Sequence, residues 1–284
     1  MVKKQLIMEQ ALELFAKQGI EATSVQQITE QCGISKGAFY LSFKSKDELI
    51  LALVDHFMMQ MTSDVDYVVK EAKTEELLYK FYYESFRSLH VHSDFAKMLI
   101  KEQGHSFNEK FLLKIRYYDS LTETTISNML ERLYGEEISS IKYDLMYCIK
   151  GFMRMYTELF LFHNIPFDFN VLSNSLVEKT SLLATHTTVP FISEEMIQMM
   201  CQPNPQEITK EQIVELVSQT IGEMEESIEK ESLILLNEHL THSTFNRAIV
   251  KGLLENIRNH AHCKWVSYLL RRYFNKVLHQ SSLK

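Results

Sequence analysis

The sequence predicts an all-α chain, and three observations lead there. No proline occurs before Pro166 in a chain of 284 residues. Leu, Glu, Lys and Met, which favour helices, are abundant. No run alternates polar with β-branched residues, as a half-buried strand would. The length is enough for two cores, and 45% apolar residues is the composition of a folded chain.

The first helix is expected from Lys3 to Gln18. Ile7, Ala11, Leu14 and Phe15 share one face at helical spacing, and Gly19 is a good stop. Ser24 opens a second helix, with Gln27 completing an S-x-x-Q capping box. Val25 and Ile28 should face inward. Gly33 suits a left-handed end to that helix, and Ser35 can cap a short third one. Two helices joined by a turn of about four residues, with glycine inside it, form a helix-turn-helix. Ser45 should cap a fourth helix reaching about Met61, with Glu48 at the capping-box position.

Further helices are expected over 74–91, 93–103, 107–134, 139–163 and 168–187. Breaks are expected at Pro190 and at CQPNPQEIT (201–209). Beyond them, 209–240 reads as an acidic amphipathic helix or a pair, and 244–279 as a basic one. Leu253, Leu254, Ile257, Ala261, Trp265, Tyr268 and Leu269 form an apolar stripe on the latter. The 139–163 helix is apolar nearly all round, so it should be buried on several sides. Arg154 and Glu158, four apart on it, are placed to pair.

The net charge of −7 is unevenly spread. Residues 1–50 are neutral, 51–190 carry −5, 191–246 carry −9 and 247–284 carry +7. Global acidity argues against coating DNA at random but does not exclude a local contact patch. The last two segments are complementary, so packing of the basic helix on the acidic one is expected. The four cysteines, Cys32, Cys148, Cys201 and Cys263, are scattered and form no CxxC, which argues against a zinc ribbon or redox dithiol. His260-Ala261-His262-Cys263 looks like a metal cluster, but helix residues two apart diverge, so no metal site is assigned. Neither a signal peptide nor a membrane-length apolar run is present, and no membrane association is expected. A cytoplasmic, reducing location fits. No phosphate loop, nucleophile motif or catalytic carboxylate pair is visible, so neither an enzyme nor a cofactor is expected.

The run ALELFAKQGIEATSVQQITEQCGISKGAFYLSFKSKDELI (11–50) resembles the DNA-binding domain of the TetR/AcrR family of bacterial transcription regulators. The resemblance implies a three-helix helix-turn-helix domain (1–50) and a larger helical effector-binding and dimerisation domain (51–190); the helical extension (191–284) lies beyond the family's usual length, and the resemblance says nothing about it. The residues support this. Gly37 and Ala38 let the recognition helix approach the major groove closely. Lys36 can reach a guanine edge or phosphate, and the Tyr40 hydroxyl a phosphate. Ser35, at the start of that helix, is also expected among the DNA-binding residues. Lys44 and Lys46 stand at the entry to helix four, where ammonium and backbone N–H groups can hold phosphate oxygens. By family analogy Ser24 and Gln26 also touch DNA. Phe39 and Phe43 are expected in the core.

Residues 77–162 are rich in aromatics, including Tyr79, Phe81, Tyr82, Phe86, Phe107, Phe111, Tyr118 and Phe160. Most should be core, and a cavity among them would suit a small lipophilic or aromatic effector. Arg87, Arg116 and Tyr117 are candidates to hold its polar end. The resemblance places a homodimer interface on 139–163 and 168–187. Two recognition helices about 34–36 Å apart would then read a roughly palindromic double-stranded operator. The expected function is a sequence-specific repressor released by its effector. The alternative is a regulator controlled by a protein partner through the extension.

Overall fold

The structure is a computed structural model that describes residues 2–102, 109–163, 167–200, 208–242, 245–260 and 262–281. The described residues are helical apart from turns and short connections, and they fall into two compact units, Met1–Gln202 and Pro203–Lys284.

The first unit begins with α1 (Val2–Gln18), α2 (Val25–Gln31), α3 (Lys36–Ser42) and α4 (Lys46–Glu71). Helix α1 buries Ile7, Ala11 and Phe15 completely, while Leu14 and Val25 are half-buried. It ends where Gly19 takes φ +92°, and α2 ends at Gly33 with φ +64°, both in the region that glycine reaches without strain. Ile28, Phe39 and Phe43 fill the centre of this small bundle. Helix α4 runs ten residues past the expected end at Met61. No glycine or proline interrupts it, and Leu49, Leu53, Val54 and Val69 keep it buried along its length.

A short 3-10 turn (Thr74–Glu76) leads into α5 (Leu77–Val91), α6 (Ser93–Glu102), α7 (Glu109–Tyr134), α8 (Lys142–Phe162), α9 (Phe169–His186) and α10 (Glu194–Met200). Helix α5 is central and touches α4, α6, α7, α8 and α9. Its Phe81, Tyr82 and Phe86 are fully buried in a core shared with Ile126, Met129, Ile149 and Leu176. The Tyr82 hydroxyl lies 2.7 Å from Thr180 Oγ1, which satisfies both groups, and burial pushes the phenol pKa well up. Phe107 lies outside the described residues. Helix α6 packs on α1.

Within one chain α8 is not enclosed as its composition suggests. Tyr147, Gly151, Met155, Leu159 and Phe162 stay exposed, all on one side of the helix. Arg154 Nε and Glu158 Oε1 pair across 3.1 Å, as their spacing predicts.

The division between the units comes later than the expected boundary at 190. The Phe191 and Ile192 amides donate to the Asp144 carboxylate at 3.0–3.2 Å, so this stretch is tied to α8 and α10 falls in the first unit. The break expected at 201–209 lies mostly outside the described residues.

Among the described residues the second unit is a ring of four helices: α11 (Lys210–Glu223), α12 (Ile228–His242), α13 (Arg247–Ile257) and α14 (Lys264–Ser281). Each packs on the next, and α14 returns to α11. The basic segment is thus two helices rather than one. Turns that join the His260 amide to Ile257 O and the Cys263 amide to His260 O separate them. The basic pair does pack on the acidic pair, through α12–α13 and α11–α14. Of the stripe, Leu253, Leu254, Ile257, Trp265, Tyr268 and Leu269 are buried, and Ala261 lies outside the described residues.

Candidate functional site

The exposed face of α2 and α3 is built from its caps upward. The Ser24 Oγ accepts from the Gln27 amide at 3.2 Å, and Gln27 Oε1 accepts from the Ser24 amide at 2.8 Å, which closes the predicted box. The Ser35 Oγ accepts from the Ala38 amide at 3.2 Å. The Ser45 Oγ accepts from the Glu48 amide at 3.1 Å, but the Glu48 carboxylate turns to the Lys44 amide at 2.8 Å, one residue before the position the motif predicts.

With these ends fixed, Ser24, Gln26, Ser35, Lys36, Gly37, Tyr40 and Lys44 are exposed, and Ala38 is half-buried. Lys36 Nζ donates to Gln26 Oε1 at 3.3 Å, joining the two helices across their outer face. A Cβ on Gly37 would meet only the Ser35 Oγ, at 3.7 Å, so the fold itself does not demand glycine there. The sequence reading missed Leu41, which is 91% exposed beside Tyr40. Its signal was present: with Phe39 and Phe43 inward, positions 37, 40 and 41 turn away from the core.

Lys46 differs from the other lysines. It is half-buried, and its Nζ donates to Ile20 O at 2.9 Å and Thr23 O at 3.1 Å. Those carbonyls belong to the loop between α1 and α2, so the ammonium clamps the start of α4 to that loop.

A cavity of about 70 Å³ lies in the bundle between α4, α5, α7 and α8. Met58, Met61, Thr62 and Val65 of α4 form one wall, and Phe81, Ser85, Ser88 and Leu89 of α5 another. Thr122 and Thr125 of α7 and Met153 of α8 complete the lining. None of the three expected effector residues is among them. Arg87 is engaged by Glu84, at 2.9 Å from Nε and 2.5 Å from Nη2, and this hydrogen bond raises the guanidinium pKa further. Arg116 is exposed, and the half-buried Tyr117 ring stacks edge-on against Tyr118. Spacing along a helix could not reveal which face the cavity occupies.

Polar links brace this region. Lys114 Nζ reaches both Asp55 oxygens at 2.5–2.6 Å, and the Tyr118 hydroxyl donates to Asp55 Oδ1 at 2.9 Å, so α7 is tied to α4. Lys150 of α8 binds Asp119 and Glu123 of α7 at 2.9 and 2.6 Å. Burial works against the Lys150 charge, but hydrogen bonds to Glu123 and Asp119 outweigh it and hold the ammonium pKa above the usual lysine range.

The helix-turn-helix segment matches the model of the bacterial regulatory proteins of the tetR family over residues 7–53. Along 268 residues the chain is 30% identical to the HTH-type transcriptional regulator YerO of Bacillus subtilis, covering 90% of this chain and 89% of that one. This chain belongs to the TetR family. It is a DNA-binding transcriptional regulator and not an enzyme. The YerO match is longer than the first unit, so the relationship runs into the extension.

Solved TetR-type structures share the fold. A regulator of the TerR/AcrR family from Aquifex aeolicus is 27% identical, with a TM-score of 0.50 over 64% of this chain and 99% of its own. FadR from Bacillus subtilis, solved in complex with stearoyl-CoA, is 22% identical, with a TM-score of 0.53 over 65% of this chain and 99% of its own.

The remaining candidates fall outside this site. Among the described residues no three His, Cys, Asp or Glu side chains converge to hold a metal. Cys263 is buried, with Sγ 3.4 Å from Met224 Sδ and 3.5 Å from His260 Nδ1. Burial pushes its thiol pKa up to about 11, so it stays protonated. No described helix is long and apolar enough to cross a membrane.

Proposed function

We propose that this TetR-family regulator is a repressor that binds a palindromic operator as a homodimer and is released by a small lipophilic effector. The observation that carries the reading is the position of α4. Its first turn is clamped to the helix-turn-helix by Lys46, and its middle, from Met58 to Val65, forms a wall of the bundle cavity. An effector larger than the cavity must press α4 outward, and the clamp carries that movement to α2 and α3. The shift in DNA affinity is bounded by the effector's preference for the expanded state.

At the operator, Lys36, Gly37, Ala38, Tyr40 and Leu41 enter the major groove. Leu41 supplies an apolar contact of the kind that reads a thymine methyl. Ser24, Gln26, Ser35 and Lys44 face the flanking phosphates and base edges. Lys46 acts chiefly by positioning. The exposed row of Tyr147, Met155, Leu159 and Phe162 on α8, beside Val171 and Leu182 on α9, supports a dimer interface on these two helices.

Salt-titrated binding to DNA from around the protein's own coding region tests this. Lys44→Ala should reduce the salt slope by about one. Lys46→Ala should lower the unfolding temperature more than it changes that slope. Equal slopes in the wild type and Lys44→Ala would remove Lys44 from the interface. A second reading, control by a protein partner through the extension, is favoured by the exposed Ile228, Ile234, Leu235 and Ile249 of the second unit. Deleting residues 203–284 would then abolish regulation and spare DNA binding.

A further inference from the structure

The lining of the bundle cavity limits what can enter it. Three thioethers, a phenyl ring, aliphatic groups and hydroxyls supply its walls. No Lys, Arg, His, Asp or Glu is among the described residues that line it. Cations on the same helices are engaged elsewhere: Arg87 by Glu84, Lys114 by Asp55 and Lys150 by Asp119 and Glu123.

Most of the hydroxyls are also spent. Ser85 donates to Phe81 O at 2.7 Å, Thr122 to Tyr118 O at 3.2 Å and Thr125 to Leu121 O at 3.1 Å. Ser88 is different. It is 2% exposed, it lines the cavity, and its Oγ has no hydrogen-bond partner among the described residues. A buried hydroxyl without a partner is unfavourable, and such groups are few in folded proteins.

We infer that the ligand group filling this cavity is electrically neutral and hydrogen-bonds the Ser88 hydroxyl through an alcohol, ether or carbonyl oxygen. This rests on the cavity being the effector site proposed above. An ion entering these walls would lose its hydration and find no counter-charge, a loss that one hydroxyl does not offset. A serine hydroxyl both donates and accepts, so it serves an alcohol and a carbonyl alike. The cavity is small beside the roughly 300–1,000 Å³ of sites for drug-sized ligands. Met58, Met61 and Met153 have the rotamer freedom to enlarge it. Two of these three belong to α4, so enlargement falls on the helix that carries the reading head.

The test uses three probes of one chain length, 1-octanol, octanoate and octylammonium. Each competes with the neutral dye N-phenyl-1-naphthylamine on the full-length wild type and on Ser88→Ala, and thermal unfolding of both proteins is followed. Octanol should displace the dye at least about tenfold better than either ion. Ser88→Ala should weaken octanol about fivefold to tenfold. The variant's own unfolding temperature should stay level or rise, because it buries no unpaired hydroxyl. A lower unfolding temperature in Ser88→Ala would mark the serine as structural and overturn its assignment. Ions that compete as well as octanol, or unchanged octanol affinity in the variant, would also overturn the inference and leave the effector reading standing. A wild type that binds neither the dye nor any of the three probes would sink both.

Discussion

The reading head and the cavity-bearing bundle are held together by different kinds of bond. Around α2, α3 and the start of α4 the polar contacts are mostly local: Ser24 with Gln27, Ser35 with Ala38, Ser45 with Glu48. In the bundle they span long stretches of chain. Lys114 and Tyr118 reach Asp55 across 59 and 63 residues, Arg132 donates to Val69 O across 63, and Tyr82 meets Thr180 across 98. Local bonds fix the shape of each short helix wherever it travels. Long-range bonds fix how long helices sit against one another. Under the proposed release mechanism the head would move as a piece, and the bundle would set where it goes. Helix α4 takes part in both, through Lys46 at one end and Asp55 a little further along.

The largest break should come from the head's core. Phe39 is fully buried and touches the Phe43 ring at a centroid distance of 6.1 Å. Phe39→Ala should cost about 3–5 kcal/mol and abolish operator binding, as read by thermal unfolding and a DNA mobility shift. If the variant still binds DNA normally, the packing of the head does not set the recognition face. Next comes the strut between α4 and α7. Asp55→Ala leaves Lys114 partly buried without its carboxylate, at a cost of about 1–3 kcal/mol. Because the strut lies outside the head, DNA binding should persist while the effector response weakens. A variant that loses DNA binding outright, with the head still folded, would show that the two regions are not separable in this way.

A smaller effect should follow from the caps. Ser45→Ala removes the acceptor for the Glu48 amide and should cost about 1 kcal/mol, read as a shift in unfolding temperature. Ser35→Ala has the same cost on stability but should weaken operator binding further if the cap residue also faces the phosphate backbone. Identical DNA affinities for the two variants would assign Ser35 to capping alone.

The same contrast explains what could be read from the sequence. Caps, stops and the turn at Gly33 depend on residues three or four apart, so Ser24–Gln27, Ser35 and Ser45 were legible one by one. The exposure of Lys36 and Tyr40 followed once Phe39 was turned inward, and Leu41 was legible by the same argument. The cavity was legible only as a space among the helices of 77–162, not in its lining. Its lining joins α4 to Met153 of α8, almost a hundred positions later, and no periodicity says which side of each helix meets which neighbour. Arg87 illustrates the difficulty. An arginine in an aromatic helix looks like a ligand hook until its neighbour Glu84 is seen to hold it. Lys46 is the reverse case, a lysine whose place in the motif suggested phosphate but whose ammonium points at backbone carbonyls.

The gentlest probe of the junction is His56, which follows Asp55 on α4. Burial lowers its pKa, and the Glu9 carboxylate of α1 opposes that in part. The folded protein therefore favours neutral His56, whereas the unfolded chain takes up its proton near pH 6.5. Stability from this group is present above that value. It is lost as pH falls below it, until the folded form is protonated as well. The unfolding temperature of the wild type should thus decline more than that of His56→Gln between about pH 7 and 5, with the difference between the two constant above that window. Glu9→Gln removes only the opposing influence, so the folded pKa drops further and the decline steepens. Parallel curves for all three proteins would mean that His56 is solvated when the protein is folded, and that α1 and α4 do not enclose it.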